Sequence, residues 1–230
     1  MQRIKLLALD LDGTLAAVNQ AISCQVKQLL QQITDQGVRL AILSGKPTAY
    51  LSGLTRQLGI EDIILSGENG AEVQFGYQYP PPQFYSLSKN RKFHDEQLVS
   101  YLLNRYANRL WIQPNTVNFS IFAEPIILKE IHAIFTDYLT QRDDLLLYSH
   151  VDCIELVDKN ISKGKALHFI SQQLNLTHSQ VCAIGDGSND IDMLQMANYR
   201  YAINHQLPVE NLQVFTTIEL ALYHLIENLC

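Results

Sequence analysis

Ile4-Lys-Leu-Leu-Ala-Leu9-Asp10-Leu-Asp12-Gly-Thr14 is the stretch on which the fold turns. Apart from Lys5, apolar residues occupy both alternating sets of positions from Ile4 to Leu9, so the run reads as a strand buried on both faces. It stops at two acidic residues. Residues two apart in extended chain point to the same side, so Asp10 and Asp12 can face one site. Gly13 then allows a sharp turn. Taken alone, the pair could also be a solvated strand end.

Outward from this strand the pattern alternates. Val26, Leu29, Leu30 and Ile33 have helical spacing within Cys24–Ile33, and Gly37 stands where a C-terminal glycine is expected. Val38–Leu43 reads as a second buried strand, Thr48–Leu58 as a helix behind Pro47, and Ile63–Leu65 as a third strand. This order indicates a parallel sheet wrapped by helices. It breaks at Tyr79-Pro80-Pro81-Pro82, which can continue neither a helix nor a central strand.

Beyond the prolines come a helix at Phe93–Tyr106, strands at Leu110–Gln113 and Val117–Ala123, a helix at Ile126–Leu139, and strands at Leu145–Tyr148 and Cys153–Val157. That order suits an α+β layer with a sheet covered on one face. Alternation resumes with a helix at Ser162–Leu174, for which Ser162 is a candidate N-cap. A strand at Val181–Ile184, a helix from Asp190 to Met196, a strand at Tyr201–Ile203 and a helix at Ile218–Leu229 complete the chain. The expected fold class is α/β: a Rossmann-like parallel-sheet core over residues 1–80 and 158–230, interrupted by a smaller α+β domain over residues 81–157.

Composition narrows the function. The chain has 230 residues, 47% apolar and 17% charged, and a formal charge of -6. These values are ordinary for a globular protein and offer no basic face for nucleic acid. No predominantly apolar run approaches the ~20 residues of a membrane span, and the first apolar run lacks the marks of a signal peptide. Cys24, Cys153, Cys182 and Cys230 form no CxxC pair. The expectation is a cytoplasmic protein with reduced thiols, a monomer or homodimer, without nucleic-acid or membrane partners.

Four polar clusters follow or flank the core elements, where ligands bind in open parallel sheets. Asp10 and Asp12 can divide nucleophilic and proton-transfer work and attract a hard cation. Gly185-Asp186-Gly-Ser-Asn189-Asp190 offers oxygen ligands suited to Mg²⁺, although such residues also favour turns and helix caps. An EF-hand starting at Asp186 would need Gly and Glu where Ile191 and Ala197 stand. Ser44-Gly45-Lys46 can receive an anion ahead of a helix, but Leu40 and Pro47 exclude a P-loop. Lys163 opposes the dipole of the helix it opens, which is reasonable beside an anion. Together the clusters describe a phosphoryl-transfer site, and GxGxxG, HExxH and GxSxG are absent.

These residues resemble the motifs of the haloacid dehalogenase-like hydrolases. Asp10-Leu-Asp12-Gly-Thr14 is similar to the first motif, Ser44 to the second, Lys163 to the third, and Gly185-Asp186 with Asn189-Asp190 to the fourth. Ser66-Gly-Glu-Asn69-Gly-Ala71 resembles a segment of the sugar-phosphatase branch, and the insertion resembles the smaller type-two cap found in archaeal-type phosphoglycolate phosphatase.

The resemblance implies a Mg²⁺-dependent phosphatase for a small phosphorylated metabolite, a sugar phosphate or phosphoglycolate. It implies Asp10 as nucleophile forming an aspartyl phosphate, and Asp12 as acid and base. Mg²⁺ would be held by Asp10, Asp12 and Asp186, with Asp190 in support. Ser44, Gly45, Lys163 and Asn189 would contact the phosphoryl group. A sugar phosphomutase and a non-catalytic binding protein are the alternatives. Lys46 departs from the arginine common in relatives and cannot make its bidentate fork.

Overall fold

The computed structural model describes residues 3–89 and 95–228. They fall into two compact units, Met1–Leu87 with Ser162–Cys230, and Ser88–Ile161.

The larger unit holds an eight-stranded sheet of order β12-β11-β10-β1-β2-β3-β4-β5. Its strands are β1 (Leu6–Leu9), β2 (Arg39–Leu43), β3 (Ile63–Gly67), β4 (Glu72–Phe75), β5 (Gln83–Ser86), β10 (Val181–Gly185), β11 (Tyr199–Ile203) and β12 (Leu212–Phe215). All neighbours are parallel except β3–β4 and β4–β5. Leu7 and Leu9 of β1 join one apolar cluster with α1 (Cys24–Asp35), α2 (Thr48–Thr55) and α7 (Ile218–Glu227). Leu6 and Ala8 join the opposite cluster with α5 (Lys163–Gln173) and α6 (Ile191–Gln195). The double-sided burial expected from Ile4–Leu9 therefore arises from helices on both faces. Each fully buried leucine contributes roughly 1.5–3 kcal/mol, so a charge is tolerated only where the run ends, at Asp10.

The Ser88–Ile161 unit contains a four-stranded antiparallel sheet, β6 (Leu110–Ile112), β7 (Phe119–Ala123), β9 (Cys153–Asp158) and β8 (Leu145–Ser149) in spatial order. Helices α3 (Glu96–Tyr106) and α4 (Pro125–Leu139) pack on it through Leu102, Ile127, Ile131 and Phe135, against Phe119, Ile121, Ile154 and Leu156. The Phe93 start of the expected third helix lies outside the described residues. The described helix begins at Glu96, where Asp95 accepts from two backbone N–H groups. Trp111 is exposed, whereas Phe119 is buried in the core.

The compact units divide after Leu87 and before Ser162. The physical reason is β5: after the prolines the chain returns to pair with β4, Val73 with Tyr85 and Phe75 with Gln83. Among the described residues Cys153 and Cys182 are buried, Cys24 is exposed, and all three are free thiols. No helix among the described residues is long and apolar enough to cross a membrane.

Candidate active site

The central strands β10, β1 and β2 end together. Asp10 continues β1, its N–H donating to Ile184 O at 3.0 Å. Asp186 follows β10 and Ser44 follows β2. From β1 the chain winds through β2 and β3 in one direction, whereas β10, β11 and β12 extend in the other. This reversal of strand order opens a crevice at the carboxyl ends.

Gly13 makes the first turn possible. Its φ is 92°, and a Cβ there would lie 2.3 Å from Asp186 Oδ2. The backbone of the first motif can thus press against the Asp186 carboxylate only if residue 13 has no side chain. Thr14 completes the contact, its hydroxyl donating to Asp186 Oδ1 at 2.9 Å. Thr14 has no assigned role on sequence grounds; its signal is its place directly after Asp12-Gly13.

Lys163 enters from the first turn of α5, whose N-cap Ser162 accepts from Lys165 N–H at 3.2 Å. The buried ammonium donates to Asp10 Oδ1 at 2.5 Å and to Asp190 Oδ1 at 2.7 Å. The other oxygen of Asp190 accepts from the N–H groups of Asp186 and Gly187 at 3.0 and 2.9 Å. Asp190 thus braces both the lysine and the Asp186 loop. Burial alone would lower the Lys163 pKa, but Asp10 and Asp190 outweigh it and hold the ammonium protonated. Burial pushes the Asp10 carboxyl up to about 7; Lys163 pulls it down, and Asp190 and Asp186 add to the rise. Burial also raises Asp186, against the hydrogen bond from Thr14.

One oxygen each from Asp10, Asp186 and Asp190 lie within 4.8 Å of one another. Three carboxylates and one ammonium leave a formal charge of −2, which a divalent cation would balance. The donors are all hard oxygens, as Mg²⁺ prefers. The residues therefore fit such an ion. Asp190 already has both oxygens engaged, so Asp10 and Asp186 are the carboxylates best able to turn towards it.

Asp12 is half-buried, and Lys46 Nζ stands 3.7 Å from its Oδ2. Ser44 is buried; its Oγ accepts from Lys46 N–H at 3.1 Å, and its own N–H donates to Ser66 O at 2.9 Å. Gly45 lies beside the side chain of Asn69. Asn189 is exposed on its loop, its amide donating to Asn69 Oδ1 at 3.3 Å. Direct hydrogen bonds therefore join Asp10, Lys163, Asp190 and Asp186, while Asp12, Ser44, Gly45 and Asn189 stand on the adjoining strand-end loops. Asn69 has no role expected from its sequence alone, although it lies inside the Ser66–Ala71 segment.

The family model described as haloacid dehalogenase-like hydrolase matches residues 7–80 and 82–208. The chain belongs to that family. It is 26% identical to a putative phosphatase of Buchnera aphidicola, covering 91% of both chains. It is 27% identical to a phosphoglycolate phosphatase of Methanoculleus marisnigri, covering 91% of this chain and 87% of that one. In fold it is similar to a haloacid dehalogenase-like hydrolase from Bacteroides thetaiotaomicron, with a TM-score of 0.80, 18% identity and coverage of 96% and 99%. It is also similar to the C-terminal domain of C. albicans trehalose-6-phosphate phosphatase, with a TM-score of 0.72, 16% identity and coverage of 99% and 92%.

Proposed function

We propose that this haloacid dehalogenase-like hydrolase removes the phosphoryl group from a small phosphorylated metabolite, a sugar phosphate or phosphoglycolate, with Asp10 as the nucleophile. The observation that carries this reading is the pairing of buried Lys163 with Asp10 and Asp190 at the crevice between β10 and β1. A buried carboxylate held by a lysine, beside a second carboxylate that fits a cation, is arranged to meet a phosphate dianion. The names of the relatives, putative phosphatase and phosphoglycolate phosphatase, support the same chemistry.

Mg²⁺ fits the donor set, with Asp10, Asp186 and the backbone carbonyl of Asp12 to hold it, and when bound it offsets the repulsion between a carboxylate nucleophile and a phosphate dianion. Asp10 attacks phosphorus, the bond to the leaving oxygen breaks, and an aspartyl phosphate forms on its carboxylate. Asp12 gives its proton to the departing oxygen and then takes one from the water that cleaves the aspartyl phosphate, releasing inorganic phosphate and restoring Asp10. Lys163, the Ser44 hydroxyl, the Gly45 N–H and Asn189 hold the phosphoryl oxygens, where rate comes mainly from positioning and charge stabilisation. Asp190 keeps Lys163 and the Asp186 loop in place.

The experiment is phosphate release from a panel of phosphorylated metabolites, with Mg²⁺ or with excess EDTA, by wild type and Asp12→Asn. Metal-dependent release that Asp12→Asn loses supports the reading. Equal release by Asp12→Asn would remove Asp12 from its acid–base role.

A further inference from the structure

Three consecutive residues in the turn between β3 and β4 adopt left-handed backbone: Glu68 (φ 52°), Asn69 (φ 55°) and Gly70 (φ 100°). Glycine does so freely and asparagine at small cost, but a glutamate rarely does. A run of this kind persists only where the surroundings hold it. Here the surroundings are the loops of the site. The Glu68 N–H donates to Lys46 O at 3.0 Å, and the Asn69 N–H donates to Ser44 O at 2.9 Å. The turn therefore grips the Ser44–Lys46 loop by its backbone at two points. Gly70 packs so closely on the backbone before Lys163 that a Cβ would stand 2.3 Å from Ser162 O.

The Asn69 side chain adds a link the backbone cannot make. Its Oδ1 accepts from Asn189 Nδ2 at 3.3 Å, and its carboxamide lies 3.4–3.5 Å from where a Gly45 Cβ would be. One residue thus bonds the loop after β2 through its backbone and the loop after β10 through its side chain. Those strands lie on opposite sides of β1, which carries Asp10.

We infer that Asn69 is a positioning residue: its backbone N–H holds Ser44 and its carboxamide holds Asn189, so that it ties the Ser44–Lys46 loop to Asn189 and fixes the spacing of the groups that receive the phosphoryl oxygens. This inference rests on reading the site as a phosphoryl-transfer centre. Asn69 acts through Gly45 and Asn189, without contact with the reacting atoms.

Asn69→Gly tests it, because glycine keeps the left-handed backbone and removes only the carboxamide. The melting temperature is expected to change little, because relief of the left-handed backbone is set against the larger unfolded-state entropy of glycine. The kcat for Mg²⁺-dependent phosphate release is expected to fall about tenfold while KM changes less than about twofold, since misplaced groups cost most in the transition state. Combined with Asn189→Ala, the two losses are expected to be less than multiplicative, as for residues in one network. A wild-type kcat in Asn69→Gly, or strictly multiplicative losses, would overturn the inference.

A second readout needs no activity. In ¹⁵N spectra of the full chain, Asn69→Gly is expected to move the Asn189 side-chain amide resonance and the Gly45 backbone amide. Unmoved signals would contradict the tie by themselves. If the wild type released no phosphate, the catalytic reading would fall, and these spectra would still decide whether Asn69 links the two loops.

Discussion

Lys163 and Asp10 are 153 residues apart in sequence, yet the lysine Nζ lies 2.5 Å from the aspartate Oδ1, both side chains buried. The parallel sheet brings them together: β1 delivers Asp10 at its carboxyl end, and α5 starts where its first turn can reach that end. Asp190, 2.7 Å from the same ammonium, makes the arrangement a triad.

Lys163→Met leaves two buried carboxylates without their cation. Breaking a buried pair from one side typically costs about 3–5 kcal/mol. Denaturant unfolding at neutral pH is expected to show a loss of this order, with phosphate release reduced at least about a hundredfold. A variant as stable as wild type would show that the triad is balanced by other groups.

Gly13→Ala places a methyl group against Asp186 at a φ that L-residues rarely adopt. The expected result is a folded protein destabilised by about 1–3 kcal/mol, with phosphate release nearly abolished because Asp186 is displaced. Unchanged kinetics would mean that Asp186 does not need its present position.

Mg²⁺ is expected to stabilise the chain through Asp10 and Asp186. At roughly a hundred times its Kd, a ligand bound only by the folded state adds about 2.7 kcal/mol. Thermal melts with Mg²⁺ and with EDTA should differ accordingly, and Asp186→Asn should remove most of the difference. Identical melts for wild type would contradict a metal site at this cluster.

His150 carries a pH dependence in the Ser88–Ile161 unit. Its imidazole is about half exposed and lies 3.6 Å from Glu155, whose carboxylate raises its pKa above the ordinary 6.5. A raised histidine contributes fully below the unfolded pKa and loses its contribution as pH rises through the folded one. Stabilisation should therefore be present below about 6.5 and fade on the alkaline side, with solvent keeping it small. An NMR titration should place His150 above 6.5 and return it towards that value in Glu155→Gln. The same midpoint in both proteins would dismiss Glu155 as the cause.

The parallel core was legible because β1, β2 and β10 must be apolar on both faces, and such runs stand out against the acidic and glycine residues that end them. β4 was missed because Glu72 and Gln74 make it look like a loop. Both are buried, and α2 supplies their partners: Thr48 Oγ1 donates to Glu72 Oε2 at 2.7 Å, and Gln74 Nε2 donates to Ser52 Oγ at 2.9 Å. Local pattern cannot announce partners that folding brings from over twenty residues away. β12 (Leu212–Phe215) escaped as a short edge strand in which no residue is buried. Within the site, spacing picked out the acidic clusters, Ser44 and Lys163. The bracing by Asp190, the Thr14 contact and the Asn69–Asn189 link depend on three-dimensional approach of separate loops.

The most direct test of the central claim compares wild type with Asp10→Asn in phosphate release from phosphorylated metabolites at saturating Mg²⁺, with circular dichroism to establish that both are folded. Asp10 as nucleophile predicts metal-dependent release by wild type on one or two compounds and no measurable turnover by Asp10→Asn. Turnover by folded Asp10→Asn at a rate near wild type would contradict it.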